Sequence, residues 1–256
     1  YSPWLGLGAV DLPDFGSDAT DPALQALDLD RFREIAGVPE GEGTSYLRGP
    51  LGAGDDNWVP ADTSLPHEVG FALDEAAPRP ARELRIVTTL DEVLDARSFR
   101  LGGLTLGDLS VAVPDGRLVY QTDIDLTGSR GFVLRVSAGI DLDSRTATWL
   151  VQAIDPETGE LLEGNGPEGL LRPGEAGAVH YTVDAGAEAE TGTLVSAEAR
   201  VLLDVAAPED TVPFGYRLDQ GAPVTTYDAR RIPGTDDHRV TWTAVDDAGG
   251  SGRAET

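Results

Sequence analysis

Two pairs of carboxylates stand where side chains could act together, Asp123 with Asp125 and Asp141 with Asp143. Spaced two apart, each pair projects from one face of a strand or from its end. Three chemistries fit that spacing. The carboxylates can cap turns in solvent, or they can bind Ca²⁺, which takes roughly six to eight oxygens. They can also serve as the acid–base pair of a glycoside hydrolase, whose separation is set by the fold. Asp155 opens a further turn, Asp155-Pro156-Glu157-Thr158-Gly159, in which Pro presets φ and Gly supplies a positive one. The candidate Ca²⁺ ligands are therefore Asp141, Asp143 and Asp155, which a β-meander could bring to one edge of a sheet. A second candidate cation site is the junction where Asp219 could approach Asp246 or Asp247.

Other catalytic signatures fail. No Gly-x-Ser-x-Gly elbow occurs, and His67-Glu68 has no second His four residues on. His67, His180 and His238 lie far apart in sequence, and His180 sits in a strand pattern as a structural residue. Gly164 to Gly169 fits the dinucleotide fingerprint as a string, but it contains Pro167 and leads to Leu170-Leu171-Arg172-Pro173 rather than to a helix. It reads as a loop. There is no Cys, hence no disulfide, thiolate site or Cys nucleophile. There is no Lys, hence no Schiff base and no Lys–Asn isopeptide staple. Trp58, Trp149 and Trp242 could stack on sugars if exposed, yet Trp149 and Trp242 alternate with apolar positions and are expected in cores.

The elements that must position these residues are strands. Between Arg117 and Glu160, Phe132, Leu134, Val136, Ala138 and Ile140 fall at every second position, as do Ala147, Trp149, Val151 and Ala153. A period of two buries one face of each strand and wets the other. About ten such strands run from Asn57 to Val205, with turns rich in Gly, Asp, Ser and Pro, which indicates an antiparallel β-sandwich. Its expected core is Ile86, Leu101, Phe132, Leu134, Val136, Trp149, Val151, Tyr181 and Val201. Ahead of it, Asp21-Pro22 starts a short helix that Gly37 and Pro39 end. Beyond it, Asp219 to Pro223 reads as a linker, and Arg239 to Val245 alternates again. The expected domains are a helical lead-in over 1–48, a sandwich over 49–218, and a linker with the first strands of an immunoglobulin-like module over 219–256.

Composition narrows the partners. The 45 acidic residues against 19 basic ones give a formal net charge of −26, which repels nucleic acid and anionic membranes. No run of about 18 apolar residues is present to insert in a membrane. Arg without Lys, with abundant Ala, Gly and Asp, fits a GC-rich coding sequence or a salt-adapted proteome. With no Met at all, the chain is expected to be part of a longer polypeptide or a processed product.

The stretch from about Asn57 to Asp219 resembles a β-domain repeated in very large bacterial extracellular proteins, among them hemolysin-type calcium-binding and adhesin-like surface proteins. The matching words are Asn57-Trp58-Val59-Pro60-Ala61, Asp95-Ala96-Arg97-Ser98-Phe99, Val113-Pro114-Asp115-Gly116-Arg117, Ala138-Gly139-Ile140-Asp141, and Ile154-Asp155-Pro156-Glu157-Thr158-Gly159. In such proteins an immunoglobulin- or fibronectin-like module often follows, and Ala222 to Gly252 looks like its start. The resemblance implies a secreted or cell-surface location and neighbouring β modules of the same chain as partners. The reading is a non-catalytic structural or spacer module, Ca²⁺-stabilised if the Asp turns bind the ion. The alternative is a carbohydrate-binding or adhesive module with a cell-surface or glycan partner, and behind it a glycan-active enzyme. Self-association is not specified by the sequence.

Overall fold

The computed structural model describes residues 44–164, 166–221, 224–234 and 236–245. The helix expected over 21–36 and Asp246 and Asp247 lie outside the described residues.

The fold is all-β, with several antiparallel sheets and one four-residue helix, α1 (Thr127–Arg130), among the described residues. One sheet holds five strands in the order β1 (Tyr46–Arg48), β3 (Leu65–Ala72), β10 (Ala176–Ala185), β5 (Leu94–Leu106) and β6 (Leu109–Val111). A second holds six: β13 (Glu209–Asp210), β12 (Ala199–Leu203), β4 (Glu83–Thr89), β9 (Thr146–Ile154), β8 (Val133–Asp141) and β7 (Val119–Asp125). A small third sheet joins β11 (Leu194–Ala197), β14 (Phe214–Asp219) and β2 (Trp58–Pro60).

Period-two burial explains why the two large sheets pack face to face. On β8, Leu134, Val136 and Ala138 are buried while Val133, Arg135 and Ser137 turn outward; on β9 the buried set is Ala147, Trp149, Val151 and Ala153. Trp149 meets the other sheet directly, with its ring 6.1 Å from Phe99 on β5 and 5.8 Å from Tyr181 on β10. All nine residues expected in the core are buried.

The sandwich is larger than the span from Asn57 to Val205. It begins at β1, ahead of residue 49, and it recruits β13 and β14 after Val205. It is also not wholly antiparallel, because β14 pairs with β2 in parallel, Arg217 beside Trp58. Two strands were poorly marked in sequence for physical reasons. β3 contains Pro66 and Gly70, which weaken a strand signal, yet it is the inner neighbour of β10. Pro66 is tolerated because β1 pairs only with Glu68 to Gly70, so its side of β3 is locally an edge. Gly70 is required by packing: a Cβ there would lie 2.1 Å from the Tyr46 ring. On β5 the buried residues run Leu94, Ala96, then Phe99, Leu101, then Leu104, Leu106. The phase slips twice where its pairing with β10 is irregular, as inserted residues at a bulge reverse inward and outward positions.

After the sandwich, β15 (Val224–Arg231) and β16 (His238–Val245) form a hairpin in which Tyr227 faces Trp242 and Ala229 faces Val240. Trp242 is 57% exposed, which corrects its expected place in a core: among the described residues the two-stranded ribbon has no second layer to bury it.

Candidate binding surface

Asp123, Asp125, Asp141 and Asp155, singled out in the sequence, are used locally. Asp123 takes two parallel hydrogen bonds from Arg135 on β8, 2.9 Å each, from Nε and Nη2. Those bonds from the guanidinium hold the Asp123 carboxyl below its usual range. Asp125 accepts from the Thr127 hydroxyl at 2.6 Å and the Thr127 amide at 2.9 Å, which fixes the entry to α1 and lowers its pKa. Asp141 caps the β8–β9 turn by accepting from the Ser144 and Asp143 amides, and those bonds depress its pKa. Asp155 caps the turn after β9 through the Glu157 and Thr158 amides.

The three candidate Ca²⁺ ligands therefore fall into two places. Asp141 pairs with Thr146 at one end of β9, beside Asp143 in the turn, whereas Asp155 follows Ile154 at the other end. Nine residues of strand separate the ends, roughly 30 Å at 3.3 Å per residue, so one ion cannot take all three. Among the described residues no three His, Asp or Glu side chains converge within reach of a metal ion.

Two arginines do work that no sequence motif marks. Arg82 is 3% exposed, and its guanidinium donates to the carbonyls of Glu168, Gly164, Gly166 and Leu162. The string from Gly164 is thus a loop whose carbonyls, not its amides, are turned to a cation, the opposite polarity to a phosphate cradle. Arg145, at φ 57°, donates in the same way to the carbonyls of Leu90, Asp91 and Leu94. The planar, multi-donor guanidinium suits this clamping of several carbonyls better than an ammonium would.

His67 was the other residue missed. It is buried on β3, stacked on Tyr181 at 4.8 Å between ring centres. Its Nδ1–H donates to the Leu65 carbonyl at 3.1 Å, leaving Nε2 to accept from the Tyr216 hydroxyl at 3.4 Å. Burial lowers its pKa to about 4, so the ring is neutral at pH 7. The only cue was the strand parity of Leu65, His67 and Val69. His180, one register position over, faces outward with Nδ1 3.6 Å from Glu68.

A shallow groove of about 650 Å³ lies on the outer face of the six-stranded sheet. Register lays Val119, Gly139, Thr148 and Val87 in one row across it, with Gln121, Ser137, Leu150 and Arg85 in the next. Val87, Val119, Ile140 and Leu150 line it together with Ser137, Thr146, Thr148, Arg85 and Asp141. A second depression of about 560 Å³ lies between Leu51, Trp58, Pro60 and Asp219. Leu51 is 92% exposed there, and Trp58 is partly exposed beside it.

No protein-family model and no curated protein sequence matches the chain. Among solved structures, the collagen-binding domain from a Staphylococcus aureus adhesin aligns at 11% identity and TM-score 0.36, over 70% of this chain and 98% of that one. A longer collagen adhesin from S. aureus aligns at 9% identity and TM-score 0.37, over 80% of this chain and 52% of that one. The major pilin subunit of Bacillus cereus aligns at 9% identity and TM-score 0.39, over 78% of this chain and 55% of that one. This chain thus spans about half of the longer adhesin and of the pilin. At such scores these likenesses bear no functional conclusion. No described helix is long and apolar enough to cross a membrane.

Proposed function

We propose that the chain is a non-catalytic structural module of a larger secreted or cell-surface protein, set in series with other β modules. The observation that carries this reading is how the sandwich joins the hairpin. Only Gln220 to Pro223 separate β14 from β15, and the hairpin beyond presents Tyr227, Val240 and Trp242 to solvent on one face. That alternation is what a strand pair shows when it contributes to a second β layer. The sandwich interior is filled by the Phe99–Trp149–Tyr181–His67 ring cluster, and the groove on the six-stranded sheet and the depression beside Trp58 lie on its surface, an arrangement suited to contact. Calcium, where bound, would act at one end of β9, with Asp141 and Asp143 apart from Asp155.

The second reading is an adhesive or glycan-binding module. Trp58 beside the exposed Leu51 favours it, since a partly exposed indole next to a groove can stack on a sugar ring. Binding to immobilised polysaccharides and matrix proteins, with release of reducing sugar followed in parallel, tests both. The structural reading expects neither binding nor turnover. Binding abolished by Trp58→Ala would replace it with the adhesive reading, and sugar release would refute both.

A further inference from the structure

The outer strand of the six-stranded sheet differs from every other edge of the sandwich. β13 has two residues, β1, β2 and β6 have three each, and β11 has four. Short edges are a common way to keep a sheet from pairing with another chain. β7 instead has seven residues, held to β8 in unbroken register from Val119 beside Gly139 to Asp125 beside Val133. Among the described residues it pairs with no strand but β8. Its inward residues Tyr120, Thr122 and Ile124 are only half-buried, whereas Leu134, Val136 and Ala138 on β8 are buried. Among the described residues the sandwich is therefore open along this edge, with alternate backbone N–H and C=O groups pointing away from β8.

The order of side chains on β7 is self-complementary. Laid antiparallel against a copy of itself about Thr122, it sets Tyr120 opposite Ile124, Thr122 opposite Thr122, Gln121 opposite Asp123 and Val119 opposite Asp125. Aromatic with β-branched and Thr with Thr are favourable cross-strand pairs. No carboxylate meets another, and both are already engaged, Asp123 by Arg135 and Asp125 by Thr127. We propose that β7 is a self-pairing edge, through which two copies of this chain join their six-stranded sheets into one continuous sheet across a two-fold axis at Thr122. A single strand pair buries little area, so the association is weak and reversible. The net charge of −26 on each copy opposes it, and salt that screens that charge promotes it.

The absence of Cys allows a direct test on the full chain. Opposed residues in an antiparallel pair have Cα atoms about 4.5–5.5 Å apart, within disulfide reach. Under mild oxidation at about 1 M NaCl, Thr122→Cys is expected to form a disulfide dimer. Val119→Cys, which is more exposed but faces Asp125 of the other copy, is expected to stay monomeric. In sedimentation runs, Gln121→Asp sets a carboxylate opposite Asp123 twice over and should weaken dimerisation at least tenfold, while Gln121→Arg should strengthen it. The same charge changes at exposed Ala76 should leave it unaltered. Unchanged melting temperatures for the Gln121 variants confirm that the fold is intact, since that side chain is exposed. A monomer at every salt concentration, equal cross-linking at 119 and 122, or indifference to the sign of charge at 121 would each overturn the proposal.

Discussion

Lowering the pH tests how the aromatic centre of the sandwich is built. His67 has an ordinary pKa of 6.5 that burial brings to about 4 in the folded chain. The unfolded chain therefore binds the proton first as pH falls, and folding stability decreases from pH 6.5 down to about 4, being complete above that window. The difference between 6.5 and about 4 corresponds to roughly 3 kcal/mol, spread over that range. The origin is geometric: the ring is wedged between Tyr181 and Tyr216, its Nδ1–H spent on Leu65 and its Nε2 on the Tyr216 hydroxyl. Protonation would force a second N–H toward that hydroxyl in a buried site. His67→Phe keeps the stacked ring and removes the titration, with a loss of about 1 kcal/mol for the missing hydrogen bonds at neutral pH. Urea denaturation at intervals from pH 7.5 to 4 compares the two. Carboxylate titration and the easing of negative self-repulsion act on both proteins and cancel in the difference. The stability gap should close and then reverse in sign as pH falls, the variant becoming the more stable near pH 4. Parallel curves would refute the account, placing the proton elsewhere or the ring in water.

Three further outcomes are expected. Trp149→Ala should lower stability by about 3–5 kcal/mol in urea melts, since the indole bridges both large sheets. Arg82→Leu should cost about 3 kcal/mol or more and expose the loop from Leu162 to Glu168 to proteolysis, because four carbonyls lose their donor together. Asp141→Ala and Asp155→Ala should shift the melting temperature additively, with and without millimolar Ca²⁺ at matched ionic strength, as opposite ends of β9 share no partner. Coupling that appeared only with Ca²⁺ would show a shared ion.

Much of this protein is written in its local pattern. Strict alternation in Phe132 to Ile140 and Ala147 to Ala153 determined which faces are buried, because strand parity is a property of the chain itself. The turn roles of Asp141 and Asp155 were equally local, each bonding amides two and three residues ahead. What parity cannot carry is the choice of partner. Leu194 to Leu203 alternates without a break, yet at Glu198 the chain leaves β14 for β4, so that one sequence pattern serves two sheets. The same holds for the cations: Arg82, Arg85 and Arg145 are alike in sequence, and only the folded chain makes two of them clamps and the third part of an open groove. The Ca²⁺ reading from sequence placed three aspartates together because turns look adjacent along the chain. The length of β9 holds two of them apart from the third, since an extended strand is the longest spacer a chain can make. Edges, too, are decided by tertiary structure. Nothing in Val119 to Asp125 says that β8 covers one side and no described strand the other, because an edge is defined by the strand that is missing beside it.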